Sequence, residues 1–120
     1  MMRFFYQATV TKIVDGDTVD LMIDLGFDIT HKIRVRLHGV NTPESRTKDL
    51  KEKELGLAAK AYVTEWLSEC DVVYIQTLKD GEGKYGRILG YIFADEQMKK
   101  CLNHDIIDSG HGVAYHGGKR

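Results

Sequence analysis

Three separated segments of this 120-residue chain carry side chains suited to one kind of chemistry. Asp15-Gly16-Asp17-Thr18-Val19 comes first, Arg36-Leu37-His38-Gly39-Val40-Asn41-Thr42-Pro43-Glu44 follows, and Lys84-Tyr85-Gly86-Arg87 is the third. An aspartate with an amide or carbonyl oxygen can hold a hard cation, a glutamate can activate water, and two guanidiniums can grip a phosphate. Together these are the groups that metal-assisted cleavage of a phosphodiester requires. Singly, each has an ordinary alternative. Asp15-Gly16-Asp17 suits a hairpin turn, Arg36 an exposed strand position, and Thr42-Pro43-Glu44 the end of a strand.

The elements that must position these groups are legible from periodicity. Residues 4–14 have strand composition, and Val19, Leu21, Ile23 and Leu25 alternate with Asp20, Met22 and Asp24. After Gly26 a second alternation sets Ile33, Val35 and Leu37 against Arg34, Arg36 and His38, so the two runs read as a hairpin. Pro43 ends that strand. Residues 45–53 form a mixed-charge loop, either solvated or tracking a polyanion. Leu55, Ala59, Tyr62, Val63, Trp66 and Leu67 recur at helical spacing. Strands are expected at 72–78 and 87–94 around a turn at 80–83, and Met98, Leu102, Ile106 and Ile107 support a shorter helix ending at Gly110. Pattern alone gives an α+β, mainly β, fold in a single domain spanning residues 1–120.

At the same three segments the chain resembles the staphylococcal nuclease family, from about Thr9 to Tyr115. The resemblance implies a five-stranded OB-fold barrel, with a helix between strands three and four and a second helix near the C-terminus. It also implies a Ca²⁺-dependent endonuclease that cuts DNA and RNA and leaves 3′-phosphate ends. Matched position by position, Asp17, Asn41 and the Thr42 carbonyl are the metal ligands. Glu44 activates water, and Arg36 and Arg87 bind the scissile phosphate. Lys84, Tyr85 and Tyr115 contact the terminal phosphate and stack on the base. One position departs from the family: Asn41 stands where it has a metal-binding aspartate. An amide oxygen can still coordinate Ca²⁺, but the site loses a negative charge and hence affinity. The competing reading is a non-catalytic nucleic-acid-binding barrel whose metal site Asn41 has weakened; a protein-interaction domain is a third.

Composition narrows these readings less than the motifs do. Eighteen acidic residues against seventeen basic ones give a net charge of −1, so any phosphate site must be local rather than a product of bulk charge. Cys70 and Cys101 suit small apolar fillers of a reduced protein. With no signal-peptide pattern and no run of transmembrane length, a cytoplasmic protein without a membrane partner is expected. Gly81-Glu82-Gly83-Lys84-Tyr85-Gly86 fits a dinucleotide fingerprint literally, but the expected strand after it makes it a hairpin loop. Starting from Asp15, an EF-hand loop would need Gly at Asp20 and Glu at Gly26. The five histidines show no zinc spacing and are expected at surface or capping positions. A pocket that stacks a base on Tyr85 or Tyr115 favours single-stranded substrates, whose bases can be splayed out.

Overall fold

The computed structural model describes residues 4–82 and 87–115, the side chains of 79–82 and 87 excepted. The order is β1 (Phe5–Asp15), β2 (Thr18–Asp24), β3 (Thr30–Leu37), β4 (Val40–Asn41), α1 (Leu50–Ser68), β5 (Val73–Glu82), β6 (Arg87–Phe93), α2 (Leu102–Asp108) and β7 (Val113–Ala114). Five strands close into a barrel in the order β1-β2-β3-β6-β5, with β3 and β6 parallel and the other neighbours antiparallel. The long β1 serves two neighbours: Phe5–Ala8 pairs with β5, and Ala8–Asp15 with β2. Irregularities in register at Val10–Lys12 and Ile13–Asp15 let it bend between them. This is the OB-like α+β barrel, with α1 between its third and fourth strands.

The alternation expected from sequence is the inside and outside of that barrel. Val19, Leu21, Ile23, Val35 and Leu37 face inward and are buried, joined by Val73, Ile75 and Ile92. Across the outer face Asp20 and Arg34 sit in register and form a two-point ion pair at 2.7 and 3.1 Å. The Arg34 guanidinium holds the Asp20 carboxyl below its ordinary range. Leu25 does not continue the inward row. It lies past the end of β2, in a hairpin tip where it is 44% and Phe27 96% exposed.

Helix α1 starts earlier than periodicity indicates. Asp49 caps it by accepting hydrogen bonds from the N–H groups of Lys51 and Glu52, so residues 50–53 are helix and not loop. Its buried stripe is Gly56, Ala59, Val63, Trp66 and Leu67, whereas Leu55 faces solvent. Helix α2 buries Leu102 and Ile106; Met98 lies outside it with a left-handed backbone (φ 59°). β5 runs through residues 80–82, where a turn was expected. β4 and β7 form a two-stranded sheet that periodicity could not foresee, pairing Val40 with Ala114 and Asn41 with Val113. Both cysteines are free, and burial raises both thiol pKa values. No described helix is long and apolar enough to cross a membrane.

One buried amide locks the end of the parallel pair. Asn103 is 1% exposed; its Oδ1 accepts from the Ile92 N–H at 3.1 Å, and its Nδ2 donates to the carbonyls of His38 and Gly90 at 2.8 and 3.0 Å. It thereby ties α2 to both β6 and the residue after β3. Asn103→Ala leaves the buried Ile92 N–H without this partner and removes a donor from the His38 and Gly90 carbonyls. We expect a loss of about 3 kcal/mol in a urea titration, with an unchanged slope; a loss below about 1 kcal/mol would contradict this assignment.

Candidate active site

The site gathers where the β1–β2 turn, the end of β3 and the residues after β4 meet. Gly16 and Asp17 form the tip of the first hairpin, since Asp15 and Thr18 already pair across it. A side chain at Gly16 would meet Thr42 Oγ1 at 2.9 Å and Ala59 Cβ at 3.0 Å. Glycine therefore lets the turn press against Thr42 and α1. That contact carries Asp17 into the interior, where it is 8% exposed.

Asp17 is held from both ends. Its backbone carbonyl accepts from the Leu37 N–H at 2.9 Å, its Oδ2 from the Thr42 N–H at 3.1 Å, and its Oδ1 from the Thr18 hydroxyl at 3.1 Å. The Arg36 Nη2 stands 3.6 Å from Oδ2. Arg36 curls back over the Gly39 turn: Nη1 donates to the carbonyls of Leu37 and Val40 at 2.8 and 2.7 Å, and Nη2 to Asn41 Oδ1 at 3.2 Å. The guanidinium lies 6.0 Å from the Tyr115 ring, which the β4–β7 pairing and the Tyr115 N–H to Gly39 carbonyl bond bring alongside.

Five residues expected from sequence thus meet in one place: Asp17, Arg36, Asn41, Thr42 and Tyr115. Glu44 follows on the same loop and is exposed, with its N–H on Glu52 Oε2 at 3.3 Å. The Arg87 backbone lies opposite Arg34 in the parallel β3–β6 pair; its side chain, and Lys84 and Tyr85 entirely, fall outside the described residues. A cleft of about 480 Å³ opens beside Asn41, Thr42 and Pro43, bordered by the start of α1 and by Gly112 and Val113.

Two features went unread in the sequence. Asp15 Oδ1 and Thr42 Oγ1 are buried with no hydrogen-bond partner, so two further oxygens stand beside the Gly16–Asp17 turn unsatisfied. Among the described residues no group of three or more His, Cys, Asp or Glu side chains could hold a metal on its own. A cation here would therefore draw on the Asp17 carboxylate together with neutral oxygens of Asn41 and Thr42. Every donor is oxygen, which fits a hard ion such as Ca²⁺. The second feature is Gly56. A Cβ there would lie 2.3 Å from the Glu44 carbonyl oxygen and 2.6 Å from the Ser45 nitrogen, so α1 seats directly on the backbone that carries Glu44. A glycine in mid-helix was the available signal.

Comparison with known proteins gives the family of this barrel. The staphylococcal nuclease homologue family model matches residues 34–119. This chain belongs to the staphylococcal nuclease family. The matched span takes in Arg36 through Glu44, residues 84–87 and Tyr115; Asp17 precedes it and joins through the contacts described above. An uncharacterised protein of Bacillus anthracis is 30% identical over 107 residues, covering 89% of this chain and 46% of the relative. A thermonuclease of Staphylococcus intermedius is 33% identical over 89 residues, covering 74% of this chain and 49% of the relative. The chain thus spans about half the length of these curated relatives.

In this nuclease-family barrel, the Gly56 contact makes a prediction of sign. Glycine-to-alanine changes in a helix usually stabilise by up to about 1 kcal/mol. Gly56→Ala should instead destabilise by about 1–3 kcal/mol, because a backbone segment must move to admit the methyl group. Thermal unfolding checks it, and a raised melting temperature would refute the close packing.

Proposed function

We propose that this chain is a Ca²⁺-dependent endonuclease that hydrolyses phosphodiester bonds of DNA or RNA and leaves 3′-phosphate ends. The observation that carries this reading is the contact of Asp17, Arg36, Asn41 and Thr42 at one corner of the barrel, which puts hard oxygen donors beside a fixed guanidinium. In this reading Asp17, the Asn41 amide oxygen and the Thr42 carbonyl hold the cation. Bound there, Ca²⁺ would supply positive charge to the non-bridging phosphate oxygens. Arg36 binds the same phosphate, and its contacts with Leu37, Val40, Asn41 and Asp17 restrict the guanidinium before substrate arrives.

The bond changes follow from the product. Glu44 takes a proton from water as the water oxygen attacks phosphorus. The bond from phosphorus to the 5′-oxygen breaks, leaving phosphate on the 3′-oxygen, and the departing 5′-alkoxide takes a proton from solvent. Arg36 and Arg87 stabilise the charge that builds on phosphorus-bound oxygens. Arginine keeps its proton under ordinary conditions, so electrostatic stabilisation is assigned to Arg87 in preference to acid catalysis. Lys84, Tyr85 and Tyr115 are assigned to the terminal phosphate and base. Single-stranded substrates are favoured, because stacking on Tyr115 requires a base free of its pair.

Asn41 supports a second reading. Its amide oxygen is engaged by Arg36 and carries no charge, so the barrel could bind nucleic acid without cutting it. Hydrolysis of single-stranded DNA in the presence of Ca²⁺ or a chelator separates the two. We expect Ca²⁺-dependent cutting to 3′-phosphate ends, reduced on the order of 10²–10⁴-fold by Glu44→Gln. Retained binding without cutting at any Ca²⁺ concentration would establish the binding barrel instead.

A further inference from the structure

Just past the end of β3, two residues after Arg36, a group of rings lies at the barrel surface. Tyr91 of β6 meets His38 at 5.5 Å and His104 of α2 at 6.1 Å, both edge-on, and leans on Phe93 at 6.4 Å. Tyr91 and His38 are half-buried and His104 is exposed, while the Phe93 ring beneath Tyr91 is buried. These three rings therefore present at the barrel surface, whereas their neighbours Val35, Leu37 and Ile92 turn inward.

Continuity with the proposed phosphate site suggests the occupant. His38 directly follows β3, and its N–H bonds the Gly90 carbonyl next to Tyr91. The rings thus begin two residues, at most about 7 Å of chain, from Arg36. A polynucleotide held at Arg36 must continue over one of the surfaces beside it, and aromatic side chains accept any base by stacking. The rings continue through Phe93 to Phe5 and Tyr74, but Glu96 lies beside Tyr74 and would repel a phosphate chain there.

We propose that His38, Tyr91 and His104 form a base-stacking shelf for nucleotides flanking the cleaved bond of a single-stranded substrate. The shelf rests on the nuclease reading and extends it to a longer substrate footprint. Arg36 fixes the phosphate, and the shelf takes a neighbouring base on the exposed side of Tyr91.

Fluorescence anisotropy in Ca²⁺ buffer with a labelled, phosphorothioate-linked dodecathymidylate tests this, with a thymidine dinucleotide as competitor and melting temperatures measured alongside. Tyr91→Leu should weaken binding of the dodecamer roughly tenfold and that of the dinucleotide far less, whereas Tyr91→Phe should retain wild-type affinity. Wild-type affinity for the dodecamer in Tyr91→Leu would overturn the shelf. So would an equal loss for both probes together with a lower melting temperature, which is the mark of a structural role. If the wild-type protein cuts DNA while Tyr91→Leu binds unchanged, the shelf alone falls. If the wild-type protein binds neither probe, the nuclease reading falls with it.

Discussion

The Asp17 carboxylate is the constraint on which the corner depends. Its Oδ2 takes the Thr42 N–H and stands 3.6 Å from the Arg36 guanidinium, while its carbonyl takes the Leu37 N–H. One residue thereby fastens the first hairpin to the end of β3 and to the loop beyond β4. Leaving a buried carboxylate without such partners would cost several kcal/mol, so these segments are bound to find one another if the barrel is to close. The same negative charge that orders the loops is available to a cation or to Arg36. In the nuclease reading, structural and chemical roles coincide in Asp17.

Asn41 changes the balance at that corner. An aspartate there would set a further carboxylate beside Arg36 in addition to Asp17, whereas asparagine sets an amide oxygen 3.2 Å from Nη2. For a cation proposed at this corner, less negative charge would weaken the attraction for Ca²⁺ more than for the guanidinium, because the ion carries twice the charge. In the nuclease reading, the phosphate of the substrate supplies part of what Asn41 lacks. Among the described residues, buried oxygens of Asp15 and Thr42 without a hydrogen-bond partner add polarity to the corner beside the Asp17 carboxylate.

Much of this was legible because a small barrel has a strict inside and outside. Val19, Leu21, Ile23, Val35 and Leu37 announce their strands by period, and the first two motifs announce by composition the residues that meet at the corner. What was hidden is non-local or too short to have a period. The parallel β3–β6 pairing joins residues some fifty positions apart, and β4–β7 contains two residues from each side. The start of α1 was obscured by its charged first turn, although Asp49 is a good cap. Leu55 fits the helical spacing but lies just outside the buried arc. Gly56 was overlooked because a mid-helix glycine signals a close approach without naming the backbone it touches.

Calorimetric titration with Ca²⁺ of the wild-type protein, Asn41→Asp and Asp17→Asn bears most directly on the proposed role of the Asp17 corner. Ligand charge tunes Ca²⁺ affinity over orders of magnitude, so Asn41→Asp should bind on the order of tenfold more tightly, and Asp17→Asn should lose the heat of binding. Unchanged affinity in Asn41→Asp, or full binding in a folded Asp17→Asn, would contradict the assignment of this corner as the cation site.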